Sequence, residues 1–330
     1  MDDDRIAELI DRADLDELVR AVDALCASRS WEQLLGLRDR CRAAGRETGR
    51  QLWPIASLAE YRLALDAPGS WAAAVVTEST GRFVLGPLTE VAASTHRWDE
   101  LSPHLASGPA AAYVAHERVL RGEDLRNASD VDTAVLELPL ALQSWEPAYA
   151  LATYHHDRIE TPAPDLPALV RVDLPAGDGR VERVDDPEVT EAFRDLVAPW
   201  TASSNGRCEV ACVAGDHRRA LTALGLTSAR CGPLTAAEGL AMLAWAGASG
   251  GAFGNRRGGA AGRWEAWWLL ASLTDRRDAL DDVDALGQAA ASLQWWAWDA
   301  NEPVTGWSLR LAIHDPADDI AWAVAATDTA

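Results

Sequence analysis

A chain of 330 residues with 48% hydrophobic and 25% charged residues has the make-up of a globular protein of about two domains, which excludes a disordered or collagen-like chain. With 51 acids against 30 bases the formal net charge is −21. That is the wrong sign for neutralising phosphates, so nucleic acid is not an expected partner. Every base is Arg. Without Lys the chain can run neither a Walker phosphate loop nor Schiff-base chemistry, and it lacks the kinase strand lysine. Codon bias in a GC-rich genome accounts for the missing Lys more simply than salt adaptation.

Five scattered Cys do not read as a disulfide framework. The start Met1-Asp2-Asp3-Asp4-Arg5 has no signal-peptide pattern, and no window approaches ~18 uninterrupted apolar residues. The expectation is a cytoplasmic protein with reduced, metal-free thiols and no membrane partner.

In chain order, the first half reads as helix after helix. Asp14 caps a one-sided helix carrying Leu15, Leu18, Val19, Val22, Leu25 and Cys26. Ser30-Trp31-Glu32-Gln33 is a capping box opening a helix to Gly45. Another runs from Trp53 to Leu65 with Pro54 in its first turn. Ser70-Trp71, Arg97-Trp98 and Ser144-Trp145 repeat a polar residue followed by Trp at a helix start. Trp31, Trp71, Trp98 and Trp145 recur at irregular intervals near the ~34–47 residues of helical-hairpin repeats, so a repeat array and a plain bundle both stay open. Arg38, Arg42, Arg46 and Arg50 are spaced by four; Gly45 and Gly49 are expected to cut that stripe after Arg42 and leave it on a solvated face.

Residues 159–186, with Pro162, Pro164, Pro167 and Pro175-Ala176-Gly177-Asp178-Gly179, form a turn-rich linker. Beyond it, Pro187 to Trp200 reads as one helix, Arg207 to Val213 as a strand and Gly215 to Gly225 as a short helix. Thr235 to Ala248 and Ala260 to Leu273 follow as apolar helices. Trp307, Leu309, Leu311 and Ile313 alternate with polar or small residues, turn at Asp315-Pro316, and resume from Ile320 to Thr327 as a β-hairpin. The fold class is therefore α+β, mainly α: a helical, repeat-like or bundle domain over 1–158, the linker, and an α+β domain over 187–330.

Three constellations carry candidate chemistry. Gly247-Ala248-Ser249-Gly250-Gly251 matches the nucleophile-elbow pattern, with Asp278 or Asp299 and then His314 in α/β-hydrolase order. The elbow requires a strand before Ser249, and Leu234 to Ala246 has the composition of a helix; a helix ending in glycines is the plainer reading. Cys208, Cys212, His217 and Cys231 resemble a zinc set, but strand residues four apart lie ~13 Å from each other, too far to share one ion. His116-Glu117 lacks a second His for a metalloprotease, and His155 and His156 diverge. No metal and no cofactor are expected.

The third constellation is the stretch from Gly239 to Trp264, which carries no acid at all. Arg256, Arg257 and Arg263 stand among Gly250, Gly251, Gly254, Gly258, Gly259 and Gly262. Glycine amides and Arg forks suit an anion such as a phosphate or carboxylate. The alternative is a loop whose arginines pair with the chain's own acids. Trp264, Trp267 and Trp268 are at core spacing, though one of them beside the loop could face a ligand.

The runs Trp295-Trp296-Ala297-Trp298-Asp299, Thr305-Gly306-Trp307-Ser308-Leu309-Arg310-Leu311 and Ala321-Trp322-Ala323-Val324, with Leu52-Trp53-Pro54-Ile55-Ala56-Ser57-Leu58-Ala59-Glu60-Tyr61, resemble a family of uncharacterised proteins from GC-rich bacteria. The resemblance implies one architecture across both halves and no catalytic motif. The leading expectation is a non-enzymatic binding or scaffold protein that offers a helical surface to a protein partner. The alternatives are a sensor or enzyme for an anionic small molecule at residues 250–263, and a serine hydrolase at Ser249.

Overall fold

The computed structural model describes residues 3–78, 85–175, 181–302 and 305–329. The fold is α+β and mainly α, in two compact units: Met1–Leu136 with Ala152–Glu160, and Glu137–Leu151 with Thr161–Ala330.

The first unit is built from α1 (Asp3–Arg12), α2 (Leu15–Ala27), α3 (Trp31–Thr48), α4 (Trp53–Asp66), α5 (Gly69–Glu78), α6 (Leu88–Thr95), α7 (Trp98–Leu101) and α8 (Pro109–Leu120), with a small pair β1 (Thr153–Tyr154) and β2 (Ile159–Glu160). Asp14 caps α2 by accepting from the Glu17 amide, and the apolar stripe Leu18, Val22 and Leu25 is buried. Helix α2 packs on α4, α4 on α6 and α6 on α8. Second members of successive helix pairs thus stack in chain order, as in helical-repeat arrays. Trp31, Trp71 and Trp98 stand in the opening turns of α3, α5 and α7.

Three sequence expectations need correction here. Gly45 does not interrupt α3, which continues to Thr48 and stops at Gly49 in the left-handed conformation, φ 71°. The arginine stripe is only partly a solvated face: Arg46 and Arg50 are exposed, but Arg38 is buried and pairs with Glu78 at 2.8 Å, while Arg42 pairs with the buried Glu60. Ser30 is the N-cap of α3 without a side-chain capping bond; its hydroxyl meets that of Ser28 at 3.0 Å instead.

The second unit holds β3 (Val170–Asp173), α9 (Pro187–Leu196), α10 (Ala198–Ala202), β4 (Arg207–Ala214), α11 (His217–Ala223), β5 (Ser228–Leu234), α12 (Ala236–Ala248), α13 (Gly259–Leu273), α14 (Val283–Ser292), β6 (Gln294–Asp299), β7 (Trp307–Asp315) and β8 (Ile320–Asp328). Its strands form one antiparallel sheet in the order β3-β5-β6-β7-β8-β4. Helix α11 covers one face, setting Ala220 and Leu221 against Ala312, Ala321, Ala323 and Trp298. Helix α12 packs on β6 and β7, and α13 packs on α12 and α9. A side chain on Gly262 would collide with the Ala244 carbonyl and Ala248, so glycine sets how closely α12 and α13 approach.

The expected linker is partly structure, since Val170–Asp173 joins the sheet edge opposite Cys231 to Ser228. The part of its turn-rich run over 176–180 lies outside the described residues, as do Met1 and Asp2. Ser144-Trp145 opens no helix: residues 137–151 are turns and extended chain. They belong to the second unit, where the Trp145 indole donates to Val283 O at 3.1 Å. The single helix expected over 187–200 is two, α9 and α10. Pro199 cannot donate the helical hydrogen bond and breaks the run just before it.

Candidate functional site

The acid-free stretch is spent on the chain's own acids. Arg263 is fully buried, and so is Glu146, which it meets at 2.7 Å through Nε. The same guanidinium donates to Pro139 O at 2.9 Å and Ala141 O at 3.2 Å. Glu146 also accepts from Trp267 Nε1 at 3.0 Å and Tyr149 Oη at 2.6 Å. Arg263 therefore lies inside the unit and not on a ligand loop, because the helical spacing that points Trp267 inward carries Arg263 with it.

The glycines follow suit. Gly250 and Gly254 are pressed together, with no room for a side chain on either. The amide of Ala252 donates to Asp328 Oδ2 at 2.6 Å, and Ser204 Oγ to Asp328 Oδ1 at 2.8 Å. Gly258, at φ 96°, is the N-cap of α13, and its amide donates to Ala248 O at 3.2 Å. Arg256 is also engaged within the chain. The expected anion nest thus holds a carboxylate of its own, Asp328.

Ser249 is not an elbow nucleophile. A helix, α12, precedes it and ends at it, because Leu240 to Ala248 is buried helix-forming sequence. The Ser249 hydroxyl, 1% exposed, accepts from Trp200 Nε1 at 2.7 Å and donates to Ala246 O at 2.9 Å. His314 stands on β7 and meets Gln294 Oε1 at 3.3 Å. Asp299 pairs with Arg230 at 2.9 Å, and Asp278 sits in the 3-10 turn Arg277–Ala279. No triad is assembled from them among the described contacts.

Cys208 and Cys212 lie on β4 at the sheet edge, and Cys231 lies on β5, with β6, β7 and β8 in between. His217 stacks on Trp296 at 3.7 Å, and burial lowers its pKa to about 4. All five cysteines are free. Glu117 pairs with Arg121 at 2.9 Å and His156 with Asp66 at 3.1 Å. Among the described residues, no group of three His, Cys, Asp or Glu is placed to hold a metal ion.

What the loop does build is a surface cavity of about 570 Å³, lined by Asp195 of α9, Pro199 and Ala202 of α10, Asn255 and Arg257 of the loop, and Trp264, Glu265 and Trp268 of α13. One helical turn apart, Trp264 and Trp268 lie on one face with rings parallel to 7° and centroids 5.7 Å apart. Arg277 lies over Trp268 at 5.6 Å. Glu265 pairs with Arg257 through Oε1, and its other oxygen, Oε2, is buried with no hydrogen-bond partner. Burial pushes the Glu265 carboxyl above its ordinary value, against the pull of Arg257. The sequence signal for this site is Trp-Glu-x-x-Trp, where the first acid after the acid-free run sits between two indoles.

The first unit offers a larger groove, about 1050 Å³, between α2, α3 and α4, with Val19, Trp31 and Leu58 among its apolar lining. Its charged residues form a ladder: Arg62 meets Asp23 at 3.0 Å and Asp66 at 2.9 Å, and His156 reaches the other oxygen of Asp66. Leu15 and Val19, one turn apart on α2, are each 39% exposed.

No curated protein and no solved structure matches the chain. A family model described as a family of unknown function (DUF6183) matches residues 16–330, nearly the whole sequence and both units, and the chain belongs to that family.

Proposed function

We propose that the chain is a non-enzymatic binding protein of the cytosol whose helical unit docks a segment of a protein partner. The observation that carries this reading is the groove between α2, α3 and α4. Stacked helix pairs support an extended face that no single hairpin could hold rigid. The groove joins an apolar strip at Leu15 and Val19 to Trp31 and Leu58, and exposed apolar strips next to a cleft are where partner segments anchor. Its charged ladder is already internally paired, so it sets register more than affinity. Five free thiols, four of them buried, fit a reducing compartment. The engagement of the Ser249 hydroxyl by Trp200 and Ala246 leaves the enzyme reading without a nucleophile at that position.

The test is affinity purification from the protein's own cells, run in parallel for the parent and for Val19→Asp and Leu15→Asp. Leu15 and Val19 are each 39% exposed, and melting curves establish that both variants fold before they are compared. A stoichiometric protein that accompanies the parent and is lost from both variants supports the reading. A partner retained at the same level by both variants overturns it.

A further inference from the structure

We propose that the outer edge of β3 is a homodimer contact, at which a second copy of this chain adds its own β3 antiparallel and joins the two sheets into one. The sheet ends at β3, whose residues are Val170-Arg171-Val172-Asp173. The opposite end is partly closed: along the outer side of β4, Val184 N donates to Cys212 O at 3.0 Å and Ala214 N to Glu182 O at 2.9 Å. Among the described residues nothing pairs with the outer side of β3, and Val170 is 67% exposed. An open edge with an exposed apolar side chain is a template for another strand.

The charges select the occupant. Leu174 N donates to Thr227 O, so by strand alternation Val170 and Val172 turn their backbone groups toward β5, while Arg171 and Asp173 turn theirs outward. Two copies can therefore bond only through Arg171 and Asp173. A two-fold register centred on either of these sets a residue against its own like charge. Centred on Val172, the register sets each Arg171 opposite Asp173 of the second copy, in hydrogen-bonded pairs on both sides of the axis. Val170 then covers Leu174 of the second copy, on the face that α11 lines.

Within one chain those charges go unanswered. Arg171 stands opposite Arg230, a like-charge pair that weakens a ladder, and Arg230 is already held by Asp299 at 2.9 Å. Arg171 and Asp173 are exposed, and neither is ion-paired among the described residues. In the dimer the row across the sheets reads Asp299, Arg230, Arg171, then Asp173 of the second copy, so two bases stand between two acids. The contact is small, below the ~1,200 Å² of standard interfaces, and copies of net charge −21 repel each other. The dimer is therefore weak, with a Kd of ~10–100 μM. The proposal does not depend on the helical groove.

The experiment is sedimentation velocity of the full chain from ~1 to ~300 μM in ~0.15 M salt, which screens the repulsion beyond ~8 Å. It is repeated on Arg171→Asp, on Asp173→Arg and on the double variant carrying both changes, with melting curves to confirm that each folds. The parent is expected to pass from monomer to dimer across this range. Each single reversal sets like charges opposite on both sides of the axis and should weaken dimerisation ~10-fold or more. An equimolar mixture of the two single variants restores the Arg–Asp pairs and should recover the dimer, as should the double variant. A parent that stays monomeric throughout overturns the proposal. So do single variants that dimerise like the parent, and so does a mixture or a double variant that stays monomeric.

Discussion

Replacing Arg263 with Met should unfold the second unit far more readily than any surface change. Arg263 and Glu146 are both wholly buried. The carboxylate takes donors from Arg263, Trp267, Tyr149 and the Gln143 amide. Removing the cation leaves a buried negative charge with neutral donors alone, a loss of ~3–5 kcal/mol for a broken buried pair. At roughly 2–4 °C per kcal/mol for a domain of this size, the melting transition should fall by about 6–20 °C. Urea denaturation followed by tryptophan fluorescence reads the loss directly, since Trp145 and Trp267 flank the pair with ring centroids 4.8 Å apart. Arg263→Met combined with Glu146→Leu should cost well under the sum of the single losses, because no charge is stranded. The pH dependence has a fixed sign. Burial alone would raise the Glu146 carboxyl, but the hydrogen bonds and charge of Arg263 outweigh it and hold the group below its ordinary 4.5. Its contribution is therefore complete above pH 4.5 and disappears as the pH falls through the lowered folded value. A loss under ~1 kcal/mol, the value of an exposed pair, would refute the reasoning.

The remaining predictions follow from single contacts. Gly262→Ala should push α13 off Ala244 and Ala248 and cost ~1–3 kcal/mol, read as a lower urea midpoint with unchanged slope. Ser249→Ala should strand the buried Trp200 indole N–H and cost ~1–3 kcal/mol. A fluorophosphonate probe should leave Ser249 of the folded parent unlabelled, and labelling there would restore the hydrolase reading. Burial pushes the thiols of Cys41 and Cys212 up to about 12 and that of Cys26 to about 11. Iodoacetamide at pH 8 should therefore modify the native protein slowly and the urea-unfolded protein fast; rapid native labelling of Cys41 would contradict the placement of that residue in the core.

The helices were legible wherever a local signal was complete. Asp14 capping α2, Pro54 in the first turn of α4 and the terminal hairpin all depend on neighbours within a few residues. The errors came where distant partners decide. Strand β5, which the sequence did not mark, contains Gly232 and Pro233, residues that local preference keeps out of strands. Pairing with Ala297 and Trp296 of β6 holds them extended. Trp145 carries the local mark of a helix start, yet its indole is tied to Val283 and its ring packs on Trp267. Gly45 looked like a stop, but one unfavourable residue costs only ~1 kcal/mol in a helix, and α3 has a buried face to set against it. At the candidate site, the sequence marked Arg257 and Trp264 and passed over Glu265, because burial of a carboxylate follows from the α12–α13 packing and not from its neighbours in sequence.

That packing also explains why an acid-rich chain keeps a stretch without acids. Its donors serve three carboxylates that folding buries: Arg263 serves Glu146, the Ala252 amide serves Asp328, and Arg257 serves Glu265. An acid inside the stretch would set a like charge beside one of them, where low polarity makes repulsion strong. The three are not equivalent. Both oxygens of Glu146 receive donors, as do both of Asp328, so these are internal struts. Glu265 has one oxygen paired with Arg257 and the other buried without a donor, next to a half-exposed indole pair. A stretch whose composition suggested a trap for anions instead supplies its donors to carboxylates of its own chain.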